Sequence, residues 1–277
     1  MEMPLVSVLM TAFNRERYIG AAIESVLAST FSDFELIITD DRSSDKTVSI
    51  AETYAQKDAR VKVYINEQNL GDYPNRNKAA SHARGKYLKY VDADDYIYPW
   101  GLQHLVEMME QFPEAGWGLC SLIQTMPDPY PYQLTPAQAY QRHYLGAGLF
   151  HKAPLSSIIK REVFEQVGGF KPIRMAGDYE MWHRLALSYP VVLMPDGMVW
   201  YREHEGQEMT EHHKYLATYE KISREYLLSA ACPLTNEQIK CISKNKKVRL
   251  LKDIIIAIIK MRYSALVMYL KMIKFNF

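Results

Sequence analysis

The stretch KYLKYVDADDYIYP, residues 86–99, places three carboxylates within four positions directly behind an apolar run. Asp92, Asp94 and Asp95 follow this run at once, and like charges this close together repel one another. A solvated turn would hold them at little cost, whereas a cation bound at the end of a strand would require them. The neighbouring segments decide between these two interpretations.

The same order, an apolar run followed by polar residues, recurs along the first 113 residues. Predicted strands cover residues 5–11, 34–40, 60–65 and 86–91. Predicted helices cover residues 15–30, 43–56, 74–84 and 99–112. Strands that alternate with helices at this spacing predict βαβ units. The fold class is therefore α/β, a Rossmann-like, mainly parallel central sheet with helices on both faces.

The regular alternation stops after residue 113. An irregular segment rich in Pro and Tyr, 126–140, separates later predicted elements. Those elements are strands within 116–125, 154–160, 191–195 and 197–202, and helices over 161–170 and 177–189. From residue 214 onwards the pattern is helical. We therefore predict two regions, 1–213 for the α/β domain and 214–277 for a C-terminal helical region.

The distribution of charge and the number of cysteines make some classes of function improbable for this chain. The net charge is +1, but residues 244–277 hold nine of the 33 Lys and Arg side chains and one of the 32 acids, Asp253. The rest of the chain, with 24 basic and 31 acidic side chains, is unlike a general nucleic-acid binder. The three cysteines, Cys120, Cys232 and Cys241, form no metal-ligand pattern and predict buried thiols in a reducing compartment. Without a leader peptide or a spanning run, the expected location is cytoplasmic.

Polar residues follow all four of the first predicted strands. Thr11, Phe13 and Asn14 follow the first, and Asp40 and Asp41 end the second. The segment NEQNLGDYPNRN follows the third, and the carboxylates of residues 92–95 follow the fourth. Ligands of open parallel sheets bind outside the carboxyl ends of the strands. We therefore expect these four strand ends to meet at one crevice.

The ordered set of motifs resembles the family 2 glycosyltransferases, which have the GT-A fold. The resemblance covers about residues 4–205. It rests on VSVLMTAFNRERYIGAAIESVLAST, FELIITDDRSSDKT, NLGDYPNRNKA, GKYLKYVDADDYIYP, FEQVGGF and GDYEMWHRLA. It implies an enzyme that moves a sugar from a nucleotide-sugar donor to a hydroxyl acceptor, a saccharide or a lipid-linked saccharide, in surface polysaccharide or glycan assembly.

The resemblance also assigns candidate donor-binding residues. The DAD sequence matches the DxD motif of the family, so Asp94 would contact Mg²⁺ or Mn²⁺ and Asp92 would face the ribose or a metal-bound water. His204 matches a late histidine that approaches the metal and the diphosphate. The remaining candidates match the nucleoside and diphosphate contacts of the family and favour UDP: Thr11, Phe13, Asp41 and Arg76. Asp95 caps the following turn or acts in the site.

Asp178 matches the catalytic aspartate of the family and would act as the general base of an inverting displacement. We expect it at a helix N-terminus, with Glu180 as the next candidate on the same helix and Trp182 in the core. The chain departs from the family at Gly177, where Glu is frequent, and at Arg42, where Gly is usual.

Other functional classes fit the sequence less well. A glycoside hydrolase needs no nucleotide crevice, and a nucleotidyltransferase typically carries a Gly-rich loop after the first strand. A noncatalytic nucleotide-sugar binding protein of the same fold is the main alternative, although such a protein has no use for Asp178.

The basic tail, residues 244–277, needs its own explanation. Val248, Leu251, Ile255, Ile258 and Ile259 recur at helical spacing, and a second apolar set follows a break near residue 262. Basic amphipathic helices of this kind lie on anionic membrane surfaces. The alternative is a helical pair that packs on the α/β domain or on a second subunit of a homo-oligomer.

Overall fold

The structure is a computed structural model that describes residues 3–122, 129–204 and 214–261, together with Tyr263, Val267, Tyr269 and Leu270. The strands are β1 Val6–Ala12, β2 Phe34–Asp40, β3 Val61–Ile65, β4 Tyr87–Tyr90, β5 Tyr96–Ile97, β6 Trp117–Leu122, β7 Tyr132–Leu134, β8 Ser157–Lys160, β9 Val191–Pro195 and β10 Val199–Trp200. The helices are α1 Ile19–Leu27, α2 Thr47–Ala55, α3 Asp72–Ser81, α4 Gly101–Glu110, α5 Pro136–Leu145, α6 Arg161–Gln166, α7 Gly177–Ser188, α8 Leu216–Leu227 and α9 Asn236–Ile259.

In the part of the chain that the structure describes, eight strands form one sheet in the order β3-β2-β1-β4-β8-β6-β9-β7, and β5 and β10 form a small antiparallel pair. Within the described sheet, β8 and β7 run antiparallel to their neighbours, while β3, β2, β1, β4, β6 and β9 share one direction. The predicted mainly parallel sheet is confirmed. Because β1 pairs with both β2 and β4, the ends of these three strands lie side by side.

Helices cover both faces of this sheet, as predicted. All seven residues of β2 are buried, which suits a strand enclosed on both sides. On one face Val8 and Met10 of β1 pack in a cluster with residues of α1 and α4. On the other face Leu9 belongs to a cluster with residues of α3, α5, α7 and α8.

The segment 126–140, expected to be irregular, contains regular structure in its described part. It holds β7 and the start of α5, which extends to Leu145. Thr135 and Gln138 form a reciprocal capping box at the start of α5, and Pro136 occupies its first turn. The sequence TPAQ, residues 135–138, is a recognised helix-start signal. The prediction of an irregular segment did not take it into account. Residues 123–128 lie outside the described part.

The C-terminal helices are attached to the rest of the molecule. Ile222 and Tyr226 of α8 lie in the same core cluster as β1 and α7. Lys246 Nζ of α9 lies 3.0 Å from both carboxylate oxygens of Glu220 on α8. The boundary after residue 213 stays a prediction. Within the described ranges, no helix has the length and apolarity that crossing a membrane requires.

The cysteines differ partly from expectation. Cys120 is buried and all three thiols are unpaired, as predicted. Cys232 is only partly buried, however, and Cys241 is exposed. The prediction of three buried thiols is therefore wrong for Cys241, which lies near the start of α9 on its solvent side.

Candidate functional site

The predicted convergence of strand ends is present. Thr11 at the end of β1 donates a hydrogen bond from Oγ1 to Asp92 Oδ1 beyond β4, at 3.2 Å. The backbone N–H of Asp41, just after β2, donates to the carbonyl of Ala12 at 2.8 Å. Phe13 projects from the same edge with 46% of its surface exposed. The candidate donor-binding residues at the ends of β1, β2 and β4 thus share one edge of the sheet.

The carboxylate of Asp94 lies between the side chains of Arg15 and His204. Its Oδ2 is 2.8 Å from Arg15 Nε and 3.1 Å from His204 Nε2. His204 stacks on Tyr18 of the segment after β1, with ring centroids 4.6 Å apart. The structure therefore brings the two candidate metal ligands together, although they are separated by 110 positions in the chain.

The Asp94–His204 pair suits a metal ion that the protein shares with its substrate. Within the described ranges, no group of three or more His, Cys, Asp or Glu side chains could hold a metal ion by itself. Mg²⁺ and Mn²⁺ sites that act on phosphates typically use one or two protein carboxylates, with phosphate oxygens and waters completing the shell. A carboxylate beside an imidazole fits that type of site, and it does not form a closed structural site.

Asp95 points away from the crevice into the protein. The residue is 2% exposed, and its carboxylate accepts a hydrogen bond from the backbone N–H of Arg202, at 3.1 Å. Burial and the charge of Asp92 raise the pKa of Asp95 to about 8. Arg202 Nε donates in turn to the carbonyl of Asp94, at 2.8 Å. Asp95 therefore anchors the segment that carries His204, which favours the structural interpretation of this residue.

Arg76 forms a bidentate salt bridge with Asp92. Its Nη1 and Nη2 lie 2.6 and 2.8 Å from the two carboxylate oxygens, and its Nε lies 2.8 Å from Asp72. Burial opposes the charge of Arg76, yet the two carboxylates raise its pKa well above the ordinary value. Arg76 thus holds Asp92 at the strand end, an arrangement that the sequence did not indicate.

Asp41 is tied to the loop that leads into α3. Its carboxylate is buried and accepts hydrogen bonds from Asn66 Nδ2 and Leu70 N, each at 2.8 Å, and from Gly71 N at 2.9 Å. A carboxylate offers about four acceptor positions, and hydrogen bonds from the described residues use three of them. Arg42, the departure from the family's glycine, has φ +70°, the left-handed conformation that glycine favours. Arg42 thus adopts this conformation although it carries a side chain.

Asp178 is the second residue of α7, so its predicted position at a helix N-terminus is confirmed. Its Oδ1 accepts hydrogen bonds from Tyr73 Oη at 3.0 Å and from the backbone N–H of Tyr179 at 2.7 Å. Burial raises the pKa of Asp178 to about 6, and these hydrogen bonds oppose the rise. A carboxylate with this pKa is ionised at neutral pH and basic enough to take a proton in the course of a reaction.

Two other side chains of α7, those of Glu180 and Trp182, make contacts away from Asp178. Glu180 is buried and lies 2.6 Å from Lys171 Nζ and 2.8 Å from Arg184 Nη2. Trp182 is fully buried and stacks on Trp117 with centroids 5.4 Å apart. The core position of Trp182 was predicted. The ion pairs of Glu180 make Asp178 the candidate base on this helix.

Sequence reasoning missed Arg15 and Tyr73. Arg15 follows the first strand and touches Asp94, 79 positions later in the chain. Tyr73 precedes Arg76 on α3 and touches Asp178, 105 positions later. A basic residue directly after a strand end was a usable signal for Arg15, whereas no local pattern connects Tyr73 with Asp178.

Known proteins match both the sequence and the fold. The sequence profile of Glycosyl transferase family 2 matches residues 7–168. An uncharacterised glycosyltransferase of Methanocaldococcus jannaschii is 30% identical over 217 residues, which cover 73% of this chain and 72% of that protein.

Two solved structures share the architecture. Staphylococcus aureus TarS, residues 1–349 in complex with UDP-GlcNAc, superposes with a TM-score of 0.68 at 22% identity, over 86% of this chain and 70% of that one. The mannosyltransferase PcManGT of Pyrobaculum calidifontis, in complex with GDP-Man and Mn²⁺, gives a TM-score of 0.64 at 16% identity, over 99% and 86%. Fold, motifs and sequence match agree: the chain belongs to Glycosyl transferase family 2 and is a glycosyltransferase with the GT-A fold.

Proposed function

We propose that this enzyme transfers a sugar from a nucleotide-sugar donor, with UDP favoured, to a hydroxyl acceptor and inverts the anomeric configuration. The observation that carries the proposal is the site built around α3. Arg76 of this helix holds Asp92 beside Asp94, and Tyr73 of the same helix holds Asp178. One rigid element thus connects the acidic cluster of the strand ends with a separate carboxylate that can act as a base.

The donor occupies the crevice at the ends of β1, β2 and β4. The nucleoside lies against Phe13, Thr11 and Asp41, and the remaining acceptor position of Asp41 receives the N3–H of uracil. Asp92, held by Arg76, faces the ribose or a metal-bound water, and each terminal nitrogen of Arg76 retains one proton for the diphosphate. Support comes from the exposed ring of Phe13 and from the UDP-GlcNAc complex of TarS.

Asp94 and His204 would hold a divalent cation together with the diphosphate of the donor. When bound, the cation would neutralise charge on the departing nucleoside diphosphate. The Mn²⁺ present with GDP-Man in PcManGT supports a divalent ion at this type of site. Arg15, 2.8 Å from Asp94, adds a fixed positive charge at the same place.

Asp178 takes the proton of the acceptor hydroxyl. The acceptor oxygen then bonds to the anomeric carbon as the bond from that carbon to the diphosphate oxygen breaks, and the proton resides on Asp178. A single displacement with one base inverts the anomeric configuration. The absence of a carboxylate at position 177, which is glycine, agrees with one carboxylate serving alone.

The exposed side of α9 provides a membrane-binding surface. Leu251, Ile255 and Ile258 are 59%, 55% and 57% exposed, whereas Ile242, Leu250 and Ala257 on the opposite side of the helix are buried. Lys244, Lys247 and Lys252 are exposed beside the apolar stripe and complement anionic headgroups. This surface would place the enzyme at the inner face of the cytoplasmic membrane, where lipid-linked saccharide acceptors of surface polysaccharide assembly are found.

A donor panel tests the proposed function. UDP-sugars and GDP-mannose are incubated with enzyme and Mn²⁺, and released nucleoside diphosphate is measured with water as the acceptor. We expect slow hydrolysis of one donor, loss of hydrolysis in Asp178→Asn, and unchanged calorimetric UDP affinity in that variant. Tight donor binding without turnover of any donor contradicts the proposal and indicates a noncatalytic binding protein. A retained anomeric configuration in the NMR spectrum of the product contradicts the single displacement.

A further inference from the structure

We propose that Tyr73 is a positioning residue for Asp178, because its hydroxyl fixes one carboxylate oxygen and leaves the other facing the acceptor. This inference rests on the proposed function, in which Asp178 is the base. It adds a residue of α3, three positions before Arg76, to the catalytic arrangement.

The hydrogen bonds of Asp178 are asymmetric. Tyr73 Oη and the backbone N–H of Tyr179 both donate to Oδ1, at 3.0 and 2.7 Å. Among the residues that the structure describes, no hydrogen bond reaches Oδ2. Two donors on one oxygen fix the plane of the carboxylate, and the second oxygen keeps its lone pairs for the acceptor proton.

Tyr73 is suited to act as a permanent donor. The residue is 5% exposed, and its ring packs on Phe170 with ring centroids 5.4 Å apart. Asn77 on the same helix bonds both backbone groups of Phe170, at 2.8 and 2.9 Å. Burial and the nearby charges of Asp178 and Asp72 raise the pKa of Tyr73 well above its ordinary value. The phenol therefore stays protonated, and the packing against Phe170 fixes the position of its ring.

Tyr73 and Gly177 form a matched pair. A Cβ atom at position 177 would lie 2.7 Å from Cδ2 of the Tyr73 ring and 2.7 Å from the carbonyl oxygen of Lys171. The ring thus fills the space that a side chain next to Asp178 would need. A glutamate at this position, as the family often has, is incompatible with Tyr73 in its observed place.

Other charged and titratable groups face Asp178 from two elements. On α3, Asp72 raises the pKa of Asp178 and Arg76 lowers it. On α8, Tyr219 lies close enough that the charge of Asp178 contributes to its raised pKa. These groups remain when the hydroxyl of Tyr73 is removed, so the effect of that change belongs to the hydroxyl alone.

The test is Tyr73→Phe, which keeps the buried ring and deletes the hydroxyl. We expect kcat for hydrolysis of the donor that the wild type cleaves to fall on the order of tenfold, with unchanged KM and UDP affinity. The acid limb of the kcat profile should move to higher pH, since a donor to the ionised form is lost. Tyr54→Phe, which removes a hydroxyl bonded to Glu24 on the outer helices, is the matched control and should match the wild type.

The outcomes separate the inference from the proposed function. A Tyr73→Phe enzyme with wild-type kcat and an unshifted acid limb overturns the positioning role. So does a variant that loses UDP affinity or cooperative thermal unfolding along with kcat, because this result indicates a structural role. If the wild type binds UDP but cleaves no donor, this result contradicts the proposed function and not the positioning of Asp178 by Tyr73.

Discussion

Arg76 lies between two carboxylates, with its Nη1 and Nη2 2.6 and 2.8 Å from Asp92 and its Nε 2.8 Å from Asp72. The guanidinium connects α3 to the end of β4, and its side chain is only 8% exposed. It therefore neutralises a partly buried acidic region and at the same time orients Asp92.

Replacing this guanidinium should destabilise the protein. In Arg76→Met, Asp92 loses its buried partner, and breaking a buried ion pair from one side costs about 3–5 kcal/mol. We expect the free energy of unfolding in urea to fall by about this amount. Lys86→Met breaks the exposed Lys86–Glu110 pair and should cost at most about 1 kcal/mol. Equal urea midpoints for both variants would contradict the structural role of Arg76.

Asp94 should determine metal-dependent donor binding. In Asp94→Ala, we expect the calorimetric affinity for UDP in the presence of Mn²⁺ to fall at least about tenfold, because the carboxylate ligand is lost. In excess chelator, wild type and variant should bind UDP equally weakly. Asp58→Ala, which removes a carboxylate paired with Arg60 at the surface, should bind as the wild type does. A wild type with the same UDP affinity in Mn²⁺ and in chelator argues against the metal site.

The activity should decline in acid. Asp178 must be ionised to accept a proton, and burial raises its pKa to about 6. Below that pH the protonated fraction grows, so kcat/KM should fall about tenfold per pH unit. Measured donor hydrolysis between pH 5 and 8 tests this expectation, with circular dichroism at each pH to confirm folding. A flat profile down to pH 5 in a folded enzyme assigns the base to another group.

Two buried histidines should make the fold sensitive to acid. His143 Nδ1 accepts hydrogen bonds from the backbone N–H groups of Leu149 and Phe150, at 3.2 and 3.1 Å, so this nitrogen carries no proton. Burial lowers the pKa of His143 and lowers that of His183 to about 3. The unfolded chain binds these protons near pH 6.5 while the folded protein does not, so the free energy of unfolding falls as the pH decreases below about 6.5.

Each of these histidines contributes at most about 1.4 kcal/mol per pH unit between that value and its folded pKa. Urea unfolding at pH 6.5, 5.5 and 4.5 measures the slope. In His183→Gln the slope should decrease by about one proton, and His104→Gln, which changes an exposed histidine of α4, should leave it unchanged. An unaltered slope in His183→Gln would mean that this histidine is protonated in the folded protein.

The exposed stripe of α9 should bind anionic vesicles. We expect the full-length protein to sediment at low salt with vesicles of phosphatidylglycerol and phosphatidylcholine, and salt should release it, since the basic side chains contribute about 1 kcal/mol each. The double variant Leu251→Gln, Ile255→Gln should lose most of this binding. Leu145→Gln, which changes an exposed leucine of α5, should bind as the wild type does. If the protein fails to sediment with the vesicles, or if the double variant binds fully, the membrane-binding role of the stripe is contradicted.

Neighbouring residues were enough to predict much of the fold. The strands around 34–40 and 86–91, the helix that begins at Gly177 and the core position of Trp182 follow from apolar periodicity and helix-start signals within a few residues. The parallel order of the first strands followed because strands alternating with helices have few possible arrangements. Even the missed helix α5 had its signal in the local TPAQ sequence.

The contacts that make the site depend on tertiary structure. Sequence identified Asp94, His204, Arg76 and Asp178 as candidates, but it did not indicate which groups they touch. The pair of Tyr73 and Asp178 spans 105 positions and that of Arg15 and Asp94 spans 79, so neither leaves a periodic pattern. The exposure of Cys241 likewise depends on which side of α9 packs against the domain. Residue types and strand order were readable from the chain, whereas burial, hydrogen-bond partners and pKa values were decided by the packing of distant segments.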